Sequence, residues 1–293
     1  MRFFRSGKDN PYGGIMKIII FHILLLLPFG FLSAAETLSA SGGRGPLALS
    51  ATENILLKTA DGCLIAASYG APAKGNPVFI NVHGLGSGKG EWGPFEKLLK
   101  TRGLGWLTLD LRGHGQSLEC AGKKTDYRTF GAGDWNAAAK DIVAAVSWLK
   151  KRKIPASNIV LCGASVGANL VLKAAVDYSL KPAAVIMLSP GLVYAGVGIE
   201  EYFHRSLPFA LLLAASPDDS YAWQSSLRLF EAANAQKLPA KEPGGSDDGG
   251  KITFRQGVSG HGVNMFSGAG ATLMEETAGM KWKVKAEAAL SDR

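Results

Sequence analysis

The segment Gly163–Gly167 reads Gly-Ala-Ser-Val-Gly and matches G-x-S-x-G, a pattern that places a serine on a sharp strand-to-helix turn. A serine hydroxyl becomes a good nucleophile when a histidine takes its proton, and that histidine needs a carboxylate to hold it. Two histidines follow Ser165. His261 lies in a glycine-rich loop after the last predicted strand, whereas His204 lies among aromatic residues of a predicted helix. The sequence therefore predicts Ser165 as nucleophile and His261 as base.

Two neighbouring aspartates are candidates for the supporting acid. Asp218 and Asp219 follow a predicted strand that ends at Ala215, which gives the order serine, aspartate, histidine along the chain. We favour Asp219 because it leads directly into the next predicted helix, which leaves Asp218 as a turn or cap residue. A shift of one residue in the loop path would exchange the two roles, so Asp218 stays the alternative acid.

Acyl transfer also requires backbone amides that stabilise the oxyanion of the tetrahedral intermediate. One amide comes from the residue after the nucleophile and the other from the loop after the third strand. These positions predict an oxyanion hole formed by Val166 and Leu85, the latter within His83-Gly84-Leu85-Gly86. The glycines of that loop allow a substrate to approach the backbone.

Several residues in loops at strand ends are predicted to contact the substrate. Gly84, Leu192 and Val193 are the substrate-binding candidates, and Val197 and the side chains of Leu85 and Val166 are expected to line the same entrance. Because most of these residues are apolar, we expect a small-molecule ester that carries an apolar group.

The elements that must position these residues alternate between strands and helices. Two short strands flank the Asp61-Gly62 turn. Further strands are predicted at 78–82, 105–111, 159–162, 183–188, 209–215 and 252–256, and helices at 92–99, 134–151, 166–180 and 221–235, followed by a last helical segment. This order predicts an α/β fold with a mostly parallel central sheet and helices on both of its faces.

The ordered motifs resemble those of the α/β-hydrolase superfamily. They are His83–Gly86, Asp110-Leu111-Arg112-Gly113-His114-Gly115-Gln116-Ser117, Gly163–Gly167, Asp219 and His261-Gly262. The resemblance implies a structural role for Asp110–Ser117, and therefore a non-catalytic His114. About twenty residues separate Leu188 from Phe209, too few for a large lid. A serine at the turn argues against haloalkane dehalogenases and epoxide hydrolases.

These observations predict an esterase- or lipase-like serine hydrolase that cleaves a carboxylic ester or thioester through an acyl-enzyme. No metal and no cofactor are required by this chemistry. A peptidase or an acyltransferase with the same three residues is the alternative. A binding protein that keeps the fold without activity is the non-enzymatic alternative.

The N-terminus has the pattern of an export signal. Lys17 precedes an apolar run, residues 18–32, and small residues follow at 33–35, so residues 1–35 are predicted to be a signal segment and 36–293 the hydrolase domain. Met16 is a possible start. We expect a periplasmic or secreted protein, with membrane anchoring if the segment is not cleaved. The net charge of +8 is spread along the chain, which disfavours nucleic acid as a partner.

Overall fold

The computed structural model describes residues 51–235 and 251–279. The predicted signal segment and its boundary with the domain lie outside them. Twelve strands are formed in this part of the chain. They are β1 (Glu53–Lys58), β2 (Cys63–Gly70), β3 (Val78–Val82), β4 (Gly105–Leu109), β5 (Glu119–Cys120), β6 (Lys123–Lys124), β7 (Ile159–Ala164), β8 (Ala184–Leu188), β9 (Val193–Tyr194), β10 (Val197–Gly198), β11 (Ala210–Ala215) and β12 (Ile252–Gln256).

Ten of these strands form one sheet, in the order β12-β11-β8-β7-β3-β4-β2-β5-β6, with β1 paired to β2. The six strands from β12 to β4 in this order are parallel, and β1, β2, β5 and β6 add antiparallel pairs at one end. Parallel strands place their carboxyl ends at one edge of the sheet, where sites on such folds lie. The predicted mostly parallel α/β fold is confirmed.

The six α-helices are α1 (Gly93–Thr101), α2 (Ala132–Ala137), α3 (Ala139–Lys151), α4 (Val166–Asp177), α5 (Ser220–Ala235) and α6 (Ala271–Gly279). Alternate residues of β3 belong to different apolar clusters, Val78 and Ile80 to one and Phe79 to the other, because successive side chains of a strand point to opposite faces. Helices α3, α4 and α5 contribute to the first cluster, and α1 and α6 to the second. Both faces of the sheet are thus covered.

Some predicted boundaries were wrong. The segment 134–151 is not one helix, since Ala138 separates α2 from α3. The strand predicted to reach residue 111 ends at Leu109, because the Asp110 amide bonds Ala66 and the Leu111 amide bonds the His83 ring. Helix α4 ends at Asp177, three residues before the predicted end.

Two small additions modify the carboxyl edge of the sheet. The hairpin β5–β6 follows β4 and is tied to β2 by the disulfide Cys63–Cys120, while Cys162 is a buried free thiol. The hairpin β9–β10 and a short 3₁₀ helix (Glu200–His204) fill the connection between β8 and β11, where a large lid is absent. Among the described residues, no helix is long and apolar enough to cross a membrane.

Candidate active site

Ser165 occupies a strained turn between β7 and α4. Its backbone has φ 56° and ψ −123°, an unusual conformation for a residue other than glycine. A Cβ atom at Gly163 would lie 2.2 Å from the Gly167 carbonyl oxygen, and one at Gly167 would lie 2.5 Å from the His83 carbonyl oxygen. Both glycines of the motif are therefore required by packing. Ser165 is 9% exposed, so only a small part of this residue reaches the surface.

The two backbone amides predicted to bind an oxyanion flank this serine. Val166 is the first residue of α4, and the first amides of a helix have no partner within it. Leu85 follows Gly84, whose backbone is so near that a Cβ atom there would lie 3.3 Å from Ser165 Cβ. Within residues 51–235 and 251–279, neither the Leu85 nor the Val166 amide donates a hydrogen bond. Both donors are thus available for a substrate oxygen.

The two aspartates after β11 have different partners. Asp219 Oδ2 lies 2.5 Å from His261 Nδ1, and the Asp219 side chain is 15% exposed against 45% for His261. Asp218 instead accepts the Gly260 amide, at 3.1 Å, and the Ser216 hydroxyl. These bonds from Ser216 and Gly260 lower the pKa of Asp218. Asp219 therefore contacts the imidazole, and Asp218 holds the loop that carries it.

The loop after β12 is fixed beside the nucleophile. The Gly262 amide donates to Ser189 Oγ at 2.9 Å, and a Cβ atom at Gly262 would lie 3.2 Å from Ala164 Cβ. The residue after His261 thus touches the residue before Ser165. No hydrogen bond joins the Ser165 hydroxyl to the His261 ring in the described part of the chain, so the serine–histidine pair stays a prediction. Such bonds are often long in free enzymes and tighten with substrate.

Glu91 is a functional candidate that the sequence reasoning missed. It lies in a 3₁₀ helix (Lys89–Trp92) and accepts the Gly84 amide at 3.1 Å and the Ser87 hydroxyl at 2.5 Å. Burial raises the pKa of Glu91, while these two bonds and the nearby His261 oppose that rise. Glu91 therefore braces the loop that carries the Leu85 amide and adds a second carboxyl group near the imidazole.

The side chains of Tyr194 and Tyr221 form an aromatic wall beside His261. The rings of Tyr194 and His261 meet edge to face with centroids 6.2 Å apart, and Tyr194 packs on Tyr221 in the same way at 5.4 Å. The Tyr221 hydroxyl donates to the Val193 carbonyl oxygen at 2.9 Å. Burial raises the pKa of the Tyr194 hydroxyl. Nothing in the sequence pattern singled out Tyr194, because its position depends on the hairpin β9–β10.

The predicted substrate-contacting residues are only partly exposed at this site. Leu85 and Val193 are exposed, at 54% and 53%, and Leu192 is half-buried. The prediction for the other two side chains was wrong, because Val166 and Val197 are fully buried in the core. Val166 can therefore contribute its amide but not its side chain. His204 is exposed at the end of the 3₁₀ helix that follows β10.

Two other histidines near the site have both ring nitrogens engaged. His83 contacts the Gly84 carbonyl oxygen through Nδ1 at 2.7 Å and accepts the Leu111 amide at Nε2 at 2.9 Å. His114 contacts the Arg112 carbonyl oxygen and the Gly86 amide, and its ring stacks on Tyr127 with centroids 3.9 Å apart. Burial lowers the pKa of both rings. They are neutral structural groups near pH 7.

The segment after β4 that contains His114 is held by buried ion pairs. Arg112 bonds Asp141 and Asp61, at 2.7 and 2.8 Å. Burial opposes the charge of Arg112, but these two carboxylates outweigh it and raise the pKa of the guanidinium. Asp110 accepts hydrogen bonds from the ammonium group and the backbone amide of Lys89. Among the described residues there is no cluster of three or more His, Cys, Asp or Glu that could hold a metal ion.

Residues 73–228 match the family described as Serine aminopeptidase, S33, and the chain belongs to this family. It is a serine hydrolase with the α/β-hydrolase fold, which confirms the resemblance found in the sequence. No curated protein sequence matches the chain.

Solved structures show the same fold. The Pyrococcus furiosus esterase Pf2001 superposes with a TM-score of 0.59 at 16% identity, over 82% of this chain and 93% of that one. A thermostable carboxyl esterase from Bacillus coagulans gives a TM-score of 0.58 at 11% identity, over 78% and 97%. A putative dipeptidyl aminopeptidase IV from Bacteroides ovatus gives 0.58 at 17%, over 78% of this chain but 35% of its own. At these identities the likeness concerns the fold alone.

Proposed function

We propose that this protein is an exported carboxylic-ester hydrolase that acts through an acyl-enzyme on Ser165. The observation that carries the proposal is the contact between His261 Nδ1 and Asp219, at 2.5 Å, in a loop packed against the residue before Ser165. Through Nδ1 the carboxylate orients the ring so that Nε2 is free to accept the serine proton. Thioesters would react by the same steps.

The proposed reaction has two halves. Ser165 Oγ attacks the carbonyl carbon while its proton passes to His261 Nε2, and the oxyanion lies between the Leu85 and Val166 amides. The bond to the leaving alcohol breaks as His261 returns the proton to that oxygen. Water then attacks the acyl carbon while His261 takes its proton, the bond to Ser165 Oγ breaks as His261 returns the proton to that oxygen, and the carboxylic acid leaves. Every step uses side chains and amides of this chain.

The surroundings of the site support a substrate with an apolar group. Leu85 and Val193 expose their side chains beside the candidate oxyanion loop and the aromatic wall of Tyr194 and Tyr221. Apolar surface at a binding site favours apolar ligand groups, because these groups are transferred out of water when they bind. We therefore expect acyl chains of several carbons to be preferred over acetyl.

The test is hydrolysis of 4-nitrophenyl esters of increasing chain length, together with labelling by a fluorophosphonate. We expect turnover and labelling by the wild type, and a loss in kcat of about 10⁶-fold in Ser165→Ala. Ser206→Ala, which removes an exposed serine hydroxyl before β11, is the matched control and should label normally. A Ser165→Ala variant that is labelled and active like the wild type would refute the proposal.

A peptidase activity is the second candidate, favoured by the family to which the chain belongs. The same acyl-enzyme would form from an amide with an amine as leaving group. Aminoacyl 4-nitroanilides, assayed beside the esters, separate the two activities. Cleavage of the anilides by the wild type that is lost in Ser165→Ala would favour the peptidase, and cleavage of the esters alone would favour the esterase.

The export proposal is supported by the sequence of residues 17–35 and by the disulfide Cys63–Cys120. Disulfides form mainly in oxidising compartments outside the cytosol. N-terminal sequencing of the protein recovered from the periplasm or medium tests the proposal. We expect a new N-terminus near residue 36, and an intact N-terminus in a membrane fraction would indicate anchoring.

A further inference from the structure

A cavity of about 410 Å³ opens beside the candidate oxyanion loop. Gly86 and Ser87, which follow Leu85, form one side of it. The other side comes from the segment between β4 and α2, and includes Gly113, His114, Leu118, Lys124, Tyr127 and Arg128. A group bound there would lie next to the loop that carries the predicted oxyanion amide.

The wall facing Gly86 is built from stacked groups. The Arg128 guanidinium lies over the Tyr127 ring at 4.8 Å, and the same ring stacks on His114. A Cβ atom at Gly86 would lie 3.4 Å from the Tyr127 hydroxyl oxygen, and Gly86 has φ +74°, so a glycine is favoured there. The wall is therefore close-packed against the oxyanion loop.

The remaining side of the cavity is also held in place. Lys124 is in β6, whose partner β5 is tied to β2 by the disulfide Cys63–Cys120. The Thr125 amide bonds the Leu118 carbonyl oxygen at 2.9 Å, which closes the hairpin. A cation on such a braced hairpin loses less freedom when it binds a ligand than one on a free loop.

The charges around the cavity favour an anion. Lys124 and Arg128 are cationic, and Asp126 is the single acidic residue that lines the cavity. Asp126 is already engaged by Arg128, both at its guanidinium, 3.3 Å away, and at its amide, 3.0 Å away. Lys124 forms no salt bridge within residues 51–235 and 251–279. His114 adds no charge near pH 7, because burial lowers its pKa.

We propose that this cavity is a subsite for an anionic oxygen group, a carboxylate or a phosphate, on the substrate of the hydrolase. The inference rests on the proposed function. It assigns different parts of the substrate to two groups of residues around the site. The side of Val193 and Tyr194 takes the apolar part of the substrate. The side of Lys124 and Arg128 takes the anionic part, which interacts with the two cations and the Tyr127 hydroxyl.

The test uses two pairs of esters that differ in one charge. The first pair is a 4-nitrophenyl hemi-ester of a dicarboxylic acid and its methyl-capped form, and the second carries the carboxylate, free or methylated, on the alcohol part. We expect the wild type to prefer the anionic member of at least one pair by about fivefold in kcat/KM, the upper range for one exposed ion pair. The preference should fall as ionic strength rises.

Lys124→Glu should lower the ratio between the anionic and capped esters by about 25-fold, since charge reversal replaces a fivefold attraction by a repulsion of similar size. Lys123→Glu is the matched control, because the neighbouring Lys123 is exposed on the same short strand and does not line the cavity. It should keep the wild-type ratio. Equal ratios in the wild type and both variants, for both pairs, would overturn the inference.

Failure of the underlying function is recognised separately. If no ester of either pair is cleaved, the proposed hydrolysis fails, and calorimetric titration of glutarate and inorganic phosphate then tests the cavity alone. Binding by the wild type and by Lys123→Glu that is weakened in Lys124→Glu would support the subsite. Absence of binding, or binding equal in all three proteins, would overturn it.

Discussion

Two regions at the carboxyl edge of the sheet contain the same residue types, aspartate, histidine and serine. In the segment after β4, Asp110, His114 and Ser117 are buried, and each accepts or donates hydrogen bonds within the fold. In the loops after β11 and β12, Asp219 holds one nitrogen of a half-exposed His261. Within the described residues, the other nitrogen of His261 has no hydrogen-bond partner.

The difference lies in which histidine nitrogens are left without a hydrogen-bond partner, and such a free nitrogen is what proton transfer requires. A ring with both nitrogens engaged, such as His83 or His114, cannot accept a proton from a substrate or a serine without breaking a bond of the fold. In His261, by contrast, only the nitrogen that contacts Asp219 is engaged within the described residues. Composition alone would not separate the two regions.

The largest effect that would sharpen this contrast is expected at the two aspartates after β11. Asp219→Asn should lower kcat by about 10³- to 10⁴-fold, because an amide no longer fixes the tautomer of His261 or stabilises its cation. Asp218→Asn is the control and should lower kcat by less than about tenfold, since the Gly260 amide can still bond an amide oxygen. The measurement is kcat for a 4-nitrophenyl ester. Equal losses in the two variants would contradict the assignment of the acid.

Substitutions in the region after β4 should change the stability of the protein and not its catalytic rate. Arg112→Met leaves the fully buried Asp141 carboxylate without its cation and should lower the free energy of unfolding by about 3–5 kcal/mol. Urea unfolding measures the change. Arg128→Met removes an exposed guanidinium and should change the free energy of unfolding by less than about 0.5 kcal/mol. Similar losses in both variants would show that the buried ion pairs are not the stabilising element.

The neutral state of His83 should make stability depend on pH. Burial lowers the pKa of His83 from 6.5 to about 4, so the unfolded chain takes up this proton at a higher pH than the folded one. The stabilisation is complete above pH 6.5 and is lost as the pH falls toward 4, by about 3 kcal/mol over this window. His83→Asn should reduce that slope in urea unfolding between pH 7 and pH 4.5. An unchanged slope would show that another group titrates.

The smallest expected effect concerns Glu91, which braces the loop after β3. Glu91→Leu removes the acceptor of the Gly84 amide and should lower kcat by about tenfold with little change in KM, because the oxyanion forms only along the reaction. Glu91→Gln keeps an acceptor oxygen and should lose about twofold. Steady-state kinetics of both variants separate the loop-bracing bond from the charge. A larger loss in the glutamine variant would mean that the charge near His261 matters more.

The buried strands were the most predictable part of the fold. The run Val78–Val82, apolar apart from Asn81, forms a strand with the predicted bounds. A strand buried on both faces has no polar alternation, and the flanking residues Pro77 and His83 do not continue the apolar run. The break at Ala138 was not predictable, since alanine favours helix and the interruption depends on how α2 and α3 pack. The hairpins β5–β6 and β9–β10 are two residues per strand, too short for a periodic signal.

Some residues of the candidate site could likewise be predicted from the sequence and others could not. The turn at Ser165 could be predicted because its glycines and its place between strand and helix are written locally in the sequence. The partners of Asp218 and Asp219 depend on the path of a loop, which the sequence left open. Glu91 was missed because its role comes from one bond to the Gly84 amide. Val197 was predicted at the entrance, but in β10 its side chain faces the core.

The cross-link between residues 63 and 120 has a thermodynamic consequence for the whole protein. It spans 57 positions that include β3, the loop of Leu85 and all of β4. Closing a loop of this length lowers the conformational entropy of the unfolded state, which stabilises the folded state by about 4 kcal/mol. A domain of this size has a total margin of about 5–15 kcal/mol. In a thiol-rich environment the disulfide would be reduced and the protein would unfold at a lower temperature. A reducing agent should therefore lower its Tm measurably.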